Sequence, residues 1–270
     1  MKEGMRVKEI GKATKQAIEK NKYLAKKSPG GAGYATPEES WQTYDSSLWN
    51  FGKTFNIVLP VEYSVSTEKY KLKDYIEEKL LKEKWGNLTA VEFGGPGSAL
   101  FRDFSRYFFR KTVGVCLKDI RNDLQKETDE EYEHSVIEGD ILDTTKVEKN
   151  KVLSEVTKKL GTNKIDLIIC RMRGPLYYID KDPAILDRIV RNWYSLLNKN
   201  GLMFIQFDII SSGSYRSTAN MAKEWSVVIN EKFPQIDIQF AMGDENIGNV
   251  IRLHKGVGSP EKLPPATQLF

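Results

Sequence analysis

Cysteine is almost absent: the 270-residue chain has two, Cys116 and Cys170. Two thiols cannot build a disulfide framework, so a reducing compartment, the cytoplasm, is expected. Histidine is equally scarce. His134 and His254 stand far apart in sequence, and with two cysteines they make no zinc-type ligand set, so no metal site is expected. No apolar run approaches the roughly 18–20 residues that span a bilayer, so no membrane partner is expected. The Lys-rich start lacks an apolar h-region, so a secretory signal is not expected either. Glycine (20) and proline (10) are too few for a collagen-like or low-complexity chain. There is no internal repeat and no Ser-His-Asp signature.

What remains is a soluble globular mix, with 40% apolar, 29% charged and 11% aromatic residues. The length allows one or two domains and a full core. The net charge of +4 is uneven: residues 1–27 hold nine Lys/Arg against three Glu, which leaves −2 for the other 243 residues. The basic character therefore belongs to an N-terminal arm, either a solvated tail or a segment that tracks a phosphate backbone.

The composition changes near residue 86. Before it, a weak basic helix is expected over residues 3–27, ended by the Ser28–Gly33 breaker. Thr36-Pro37-Glu38-Glu39 reads as a capped helix start. The aromatics Tyr34, Trp41, Tyr44, Trp49, Phe51 and Phe55 follow as core packing or as a lid. Asn56–Tyr63 reads as a short strand interrupted by Pro60, and Glu68–Trp85 as a helix with Leu72, Tyr75, Ile76 and Leu80 on one face. After residue 86, strand-like runs alternate with helical patterns, the signature of βαβ units around a parallel sheet. Strands are expected at Thr89–Phe93, Thr112–Leu117, His134–Glu138, Ile165–Cys170, Leu202–Phe207, Ile236–Ala241 and Val250–His254. Helices are expected near Ser98–Phe109, from about Asp119, from a Thr145 cap to Leu160, from Asp182 to about Asn198, and over Ser217–Phe233. The last two strands are joined by a loop too short for a parallel crossover, so they should be antiparallel.

The first βα turn carries the most information. Val91-Glu92-Phe93-Gly94-Gly95-Pro96-Gly97-Ser98 joins a strand directly to a helix, and its small residues let a ligand approach the backbone. The dinucleotide fingerprint fits poorly. Leu100 stands where its third glycine belongs, and Cys116 stands near where its ribose acid belongs.

Glu92-x-Gly94, with Pro96 and Ser98 at the later glycine positions, resembles the first motif of the class I S-adenosylmethionine-dependent methyltransferases. Gly139-Asp140-Ile141 after the third strand resembles that family's adenine-binding turn. Leu196-Leu197-Asn198-Lys199-Asn200-Gly201 resembles its L-L-x-P-G-G turn, with Asn200 in place of a glycine. The similarity covers residues 70–255.

The resemblance implies an α/β fold: a three-layer Rossmann-like sandwich with a seven-stranded, mostly parallel sheet of order 3-2-1-4-5-7-6 and an antiparallel last strand. An N-terminal helical and aromatic extension precedes it. In that order strand 1 separates Cys116 from Cys170 by two spacings, roughly 9–10 Å, too far for a disulfide. The expected divisions are residues 1–67 for the basic arm and extension, 68–258 for the methyltransferase domain, and 259–270 for a tail.

The resemblance also implies S-adenosyl-L-methionine as cofactor. Gly94, Gly95, Pro96, Gly97 and Ser98 would hold its methionine end, with Glu92 organising the turn. Asp119 would take the ribose in place of the acid missing at Cys116, or else serve as a helix cap. Asp140 with Ile141 would take the adenine, and Cys170 would line the site. Acceptor chemistry would lie after strands 4 and 5. There, Asp208 or Tyr177 is a candidate base, and Arg171 could grip an anionic group or pair with an internal acid. The implied activity is methyl transfer to a small-molecule or RNA acceptor. The alternative is a non-catalytic methyltransferase-like protein that binds nucleic acid or a protein partner. Oligomeric state is left open.

Overall fold

The computed structural model of the protein describes residues 54–64, 71–80, 84–116, 119, 121–141, 143, 145–172, 183–207, 215–243 and 248–266. The strands are β1 (Leu88–Phe93), β2 (Phe109–Cys116), β3 (His134–Glu138), β4 (Ile165–Met172), β5 (Leu197–Phe207), β6 (Ile236–Met242) and β7 (Asn249–Lys255). They form one seven-stranded sheet in the order β3-β2-β1-β4-β5-β7-β6. β7 runs antiparallel to both its neighbours, and the other pairings are parallel. The expected three-layer sandwich is thus the observed one.

All six residues of β1 are buried, as a central parallel strand requires. Alternation splits its side chains between two cores. Val91 and Phe93 join α5 (Lys151–Leu160), α6 (Pro183–Leu196) and α7 (Tyr215–Lys232) on one face. Leu88 and Ala90 join Phe55, Val58, α2 (Lys71–Lys79) and the aromatics Phe101, Phe104, Phe108 and Phe109 on the other.

Several expected elements differ from those observed. Asn56–Tyr63 is not a strand: it is a 3-10 turn (Asn56–Val58) followed by α1 (Val61–Ser64), with Pro60 starting the new helix. The helix after the first turn, α3 (Ser98–Arg102), stops at Arg102 instead of Phe109. Phe104, Phe108 and Phe109 mimic helical spacing, but they pack on one another around a turn and deliver the chain into β2. The next helix, α4 (Asp123–Glu131), starts at Asn122, which forms a reciprocal capping box with Gln125, so Asp119 is not its cap. Likewise Asn150, not Thr145, caps α5 by accepting from the Leu153 amide at 2.9 Å. β5 begins at Leu197, so the 198–201 turn lies within it, and Asn200 there adopts a left-handed φ of 64°. Asparagine tolerates this conformation better than most residues, which explains its presence at a glycine position. The expected helices over 3–27 and from Thr36 lie outside the described residues.

Residues 54–64, from the expected extension, and 259–266, from the expected tail, pack into the body. Arg252 of β7 donates from Nε to the Val58 carbonyl at 2.7 Å, pairs with Asp237 at 2.6 Å and hydrogen-bonds the Tyr75 hydroxyl. In the tail, Leu263 and Ala266 are buried, and the Ala266 amide donates to Asp187 at 2.9 Å.

Candidate functional site

In a doubly wound sheet, ligands bind outside the carboxyl ends of the strands, near the point where the strand order reverses. Here that point is the end of β1, between β2 and β4. Glu92 lies there fully buried, opposite Gly114 of β2 and Ile169 of β4.

Beyond Phe93 the chain turns back across β2. The Gly94 amide donates to the Val115 carbonyl at 2.8 Å, and Gly95 forms an antiparallel bridge with Val115. Gly94 and Gly97 have φ of 91° and 74°, which glycine adopts without steric cost. The loop then rests on Gly114, where an added Cβ would stand 1.8 Å from the Pro96 carbonyl oxygen. Gly95, Pro96, Gly97 and Ser98 are buried against the protein, and Gly94 is half-buried at the tip.

Two buried groups hold this loop from below. His134, at the start of β3, places Nε2 2.7 Å from the Pro96 carbonyl oxygen and Nδ1 2.7 Å from the Thr112 hydroxyl. Asp129, on α4, accepts from the Ser98 hydroxyl at 2.6 Å, from Arg102 at 2.8 Å and from Arg121 at 2.9 Å.

Arg121 continues from Asp129 to the next part of the site. It binds both carboxylate oxygens of Asp119, at 3.0 and 2.7 Å. Burial pushes the Asp119 carboxyl up, but the hydrogen bonds and charge of Arg121 outweigh this and hold it below the usual range. Asp119 is thus an ionised acid with its guanidinium partner already in place. The Cys116 thiol is pushed up to about 12, by burial first and then by the charge of Asp119. It is therefore a neutral group where the related motif carries an acid.

β3 completes this edge. Glu138 stands opposite Cys116 in the β2–β3 register, is exposed, and accepts from the Asp119 amide at 3.0 Å. The Gly139 amide donates to the Cys116 carbonyl at 2.8 Å, which sets Gly139-Asp140 directly over the end of β2. Asp140 is half-buried and its carbonyl accepts from the Asp143 amide at 3.2 Å, closing a turn. Ile141 is buried in the core.

The remaining residues separate into two groups. Cys170 is fully buried between Phe93 of β1 and Ile205 of β5. Arg171 pairs through its backbone with Gln206 of β5. Tyr177 and Asp208 lie outside the described residues.

The structure therefore brings together Glu92, Gly94–Ser98, Asp119 and Asp140 along one edge. It adds His134, Thr112, Asp129, Arg121 and Glu138, which the sequence reading missed. Glu138 carried a signal, an acid at a strand end immediately before the Gly139-Asp140 turn. Arg121 binds Asp119 two residues away, and the remaining contacts of these residues act across 8 to 38 residues of separation.

The strand order and the antiparallel β7 make this the fold of the class I S-adenosylmethionine-dependent methyltransferases. No protein-family model and no curated protein matches the chain. Among solved structures, the chain is similar to the N-methyltransferase NodS from Bradyrhizobium japonicum, at 9% identity over 68% of this chain and 96% of that one, with a TM-score of 0.38. It is similar to an rRNA methylase from Streptococcus thermophilus, at 9% identity over 71% and 98%, TM-score 0.41. It is also similar to the CurJ carbon methyltransferase, at 12% identity over 90% and 67%, TM-score 0.44. Strand order and register, not these scores, define the fold. Among the described residues, no helix is long and apolar enough to cross a membrane.

Proposed function

We propose that the chain is an S-adenosylmethionine-dependent methyltransferase. The observation that carries the reading is the convergence of the Gly94–Gly97 loop, the Asp119–Arg121 pair and the Gly139-Asp140 turn on one edge of β1, β2 and β3. The residues fit the cofactor. Half-buried Gly94 would let the methionine end approach the backbone without a side chain in the way, Asp140 would accept from the adenine amine, and Asp119 and Glu138 would offer carboxylates to the ribose hydroxyls.

When bound, the cofactor supplies a methyl group on a sulfonium, whose electron pair returns to sulfur as S-adenosylhomocysteine leaves. The chain's own residues position it, align the acceptor and exclude water. Arg171 would hold an anionic group of the acceptor. Asp208 or Tyr177 would take the proton when the acceptor is a hydroxyl. A small molecule is the favoured acceptor, with RNA the other class to screen.

The test is the thermal shift of the purified protein with S-adenosylmethionine, S-adenosylhomocysteine and NAD, each titrated. A ligand at about 100 times its Kd adds roughly 2.7 kcal/mol. The expected result is a shift with the first two alone, lost in Asp140→Ala. No shift at millimolar S-adenosylhomocysteine, in folded protein stripped of ligand, would contradict the reading and favour a non-catalytic binding protein.

A further inference from the structure

We infer that His134 is a positioning residue that fixes the Gly94–Gly97 loop in its ligand-binding shape by donating a hydrogen bond from Nε2 to the Pro96 carbonyl. The inference rests on the proposed cofactor site and deepens it.

The bonding pattern fixes the donor to the loop. A carbonyl oxygen only accepts, so the His134 nitrogen 2.7 Å from Pro96 must carry a proton. In a neutral ring the other nitrogen then accepts, and the Thr112 hydroxyl, at 2.7 Å, is the donor it faces. Thr112 and His134 are direct partners in the β2–β3 register, so the sheet itself sets the angle of the ring. Burial keeps the imidazole neutral by lowering its pKa to about 4. The nearby Asp129 carboxylate and the Pro96 carbonyl oppose this shift, and Arg121 and Arg102 add to it.

Pro96 has no amide hydrogen, so its carbonyl is the one backbone hydrogen-bonding group at this residue. That oxygen lies over Gly114, where no side chain fits between loop and strand. The ring also borders Gly97: an added Cβ there would meet His134 Cε1 at 3.2 Å. The imidazole therefore bonds the loop at Pro96, lies beside Gly97 and sets how flat the loop lies on β2. Without the donor, the buried carbonyl loses its partner, and the loop can recover one only by lifting toward water.

The test compares His134→Phe, which keeps a ring without a donor, with His134→Gln, which restores an N–H at the same reach. S-adenosylhomocysteine affinity is measured by calorimetry below the unfolding range of each variant. Thr112→Val, which leaves the ring but removes the hydroxyl that fixes its tautomer, is the milder probe should His134→Phe fail to fold. In parallel, nitrogen-15 NMR of the wild-type imidazole reads the tautomer without any ligand.

The expected results are an Nε2-protonated neutral ring at pH 7, affinity at least tenfold weaker in His134→Phe, about threefold weaker in Thr112→Val, and within threefold of wild type in His134→Gln. A neutral ring protonated at Nδ1 alone would overturn the inference. So would equal loss in Phe and Gln, or unchanged affinity in Phe or, where that variant does not fold, in Val. Failure of the wild type to bind would instead defeat the proposed cofactor site, while the NMR arm still reads the hydrogen bond itself.

Discussion

Gly114 leaves no room for a methyl group. An added Cβ would stand 1.8 Å from the Pro96 carbonyl oxygen, a backbone atom that cannot rotate away. Gly114→Ala must therefore push the loop off β2. The expected cost is about 1–3 kcal/mol of stability, read in urea unfolding, with loss of S-adenosylhomocysteine binding in the fraction that stays folded. His134 makes a second prediction at this scale. Its folded pKa of about 4 lies below the 6.5 of the free side chain. The unfolded chain therefore takes up a proton between these values that the folded chain refuses, so stability rises with pH across this window and is lost as pH falls through it. The full effect is about 3 kcal/mol. Urea midpoints from pH 7 to 4 should fall more steeply for the wild type than for His134→Gln. That difference separates His134 from Asp119 and His254, whose pKa values are also lowered.

At the scale of elements, α4 is tied to the site by one side chain. Asp129 is fully buried and serves Ser98 on α3, Arg102 on α3 and Arg121, which in turn grips Asp119. Asp129→Asn keeps the size but leaves two guanidinium groups without their shared charge. Breaking a buried ion pair from one side costs about 3–5 kcal/mol. Urea unfolding should show most of that loss, and S-adenosylhomocysteine binding should weaken with it, because Arg121 then keeps only Asp119 of the two acids that orient it. The strands of this sheet were readable because central parallel strands are apolar on both faces, and Ile165–Cys170 needs no context to be recognised. The turn at Gly94 and the Gly139-Asp140 pair were readable because glycine and acid stand at fixed offsets from strand ends. The stretch Asn56–Tyr63 was not, since its apolar residues are buried by β5 and β7 rather than by a strand partner. Nor were His134 and Asp129, whose meaning comes from chain segments that only the fold brings near.

The whole molecule is closed at both ends of the described chain. Arg252 joins the segment before β1 to β6 and β7. Beyond β7, Tyr194 donates to the Pro260 carbonyl at 2.7 Å, Glu261 pairs with Lys164 at 2.8 Å, and Leu263 is buried. Truncation before Ser259 removes buried Leu263 and Ala266, the buried Ala266–Asp187 hydrogen bond and the part-buried bonds made by Pro260 and Ser259. A loss of about 4 kcal/mol is expected in urea unfolding, whereas a solvated tail would cost nothing.

The proposed cofactor site is the edge formed by β1, β2 and β3. Amide hydrogen exchange with and without saturating S-adenosylhomocysteine tests it most directly. Added protection is expected at Gly94–Gly97 and Gly139–Ile141, with little change at the opposite end of the sheet around Thr89 and Lys164. Protection elsewhere with none at these two turns would contradict it.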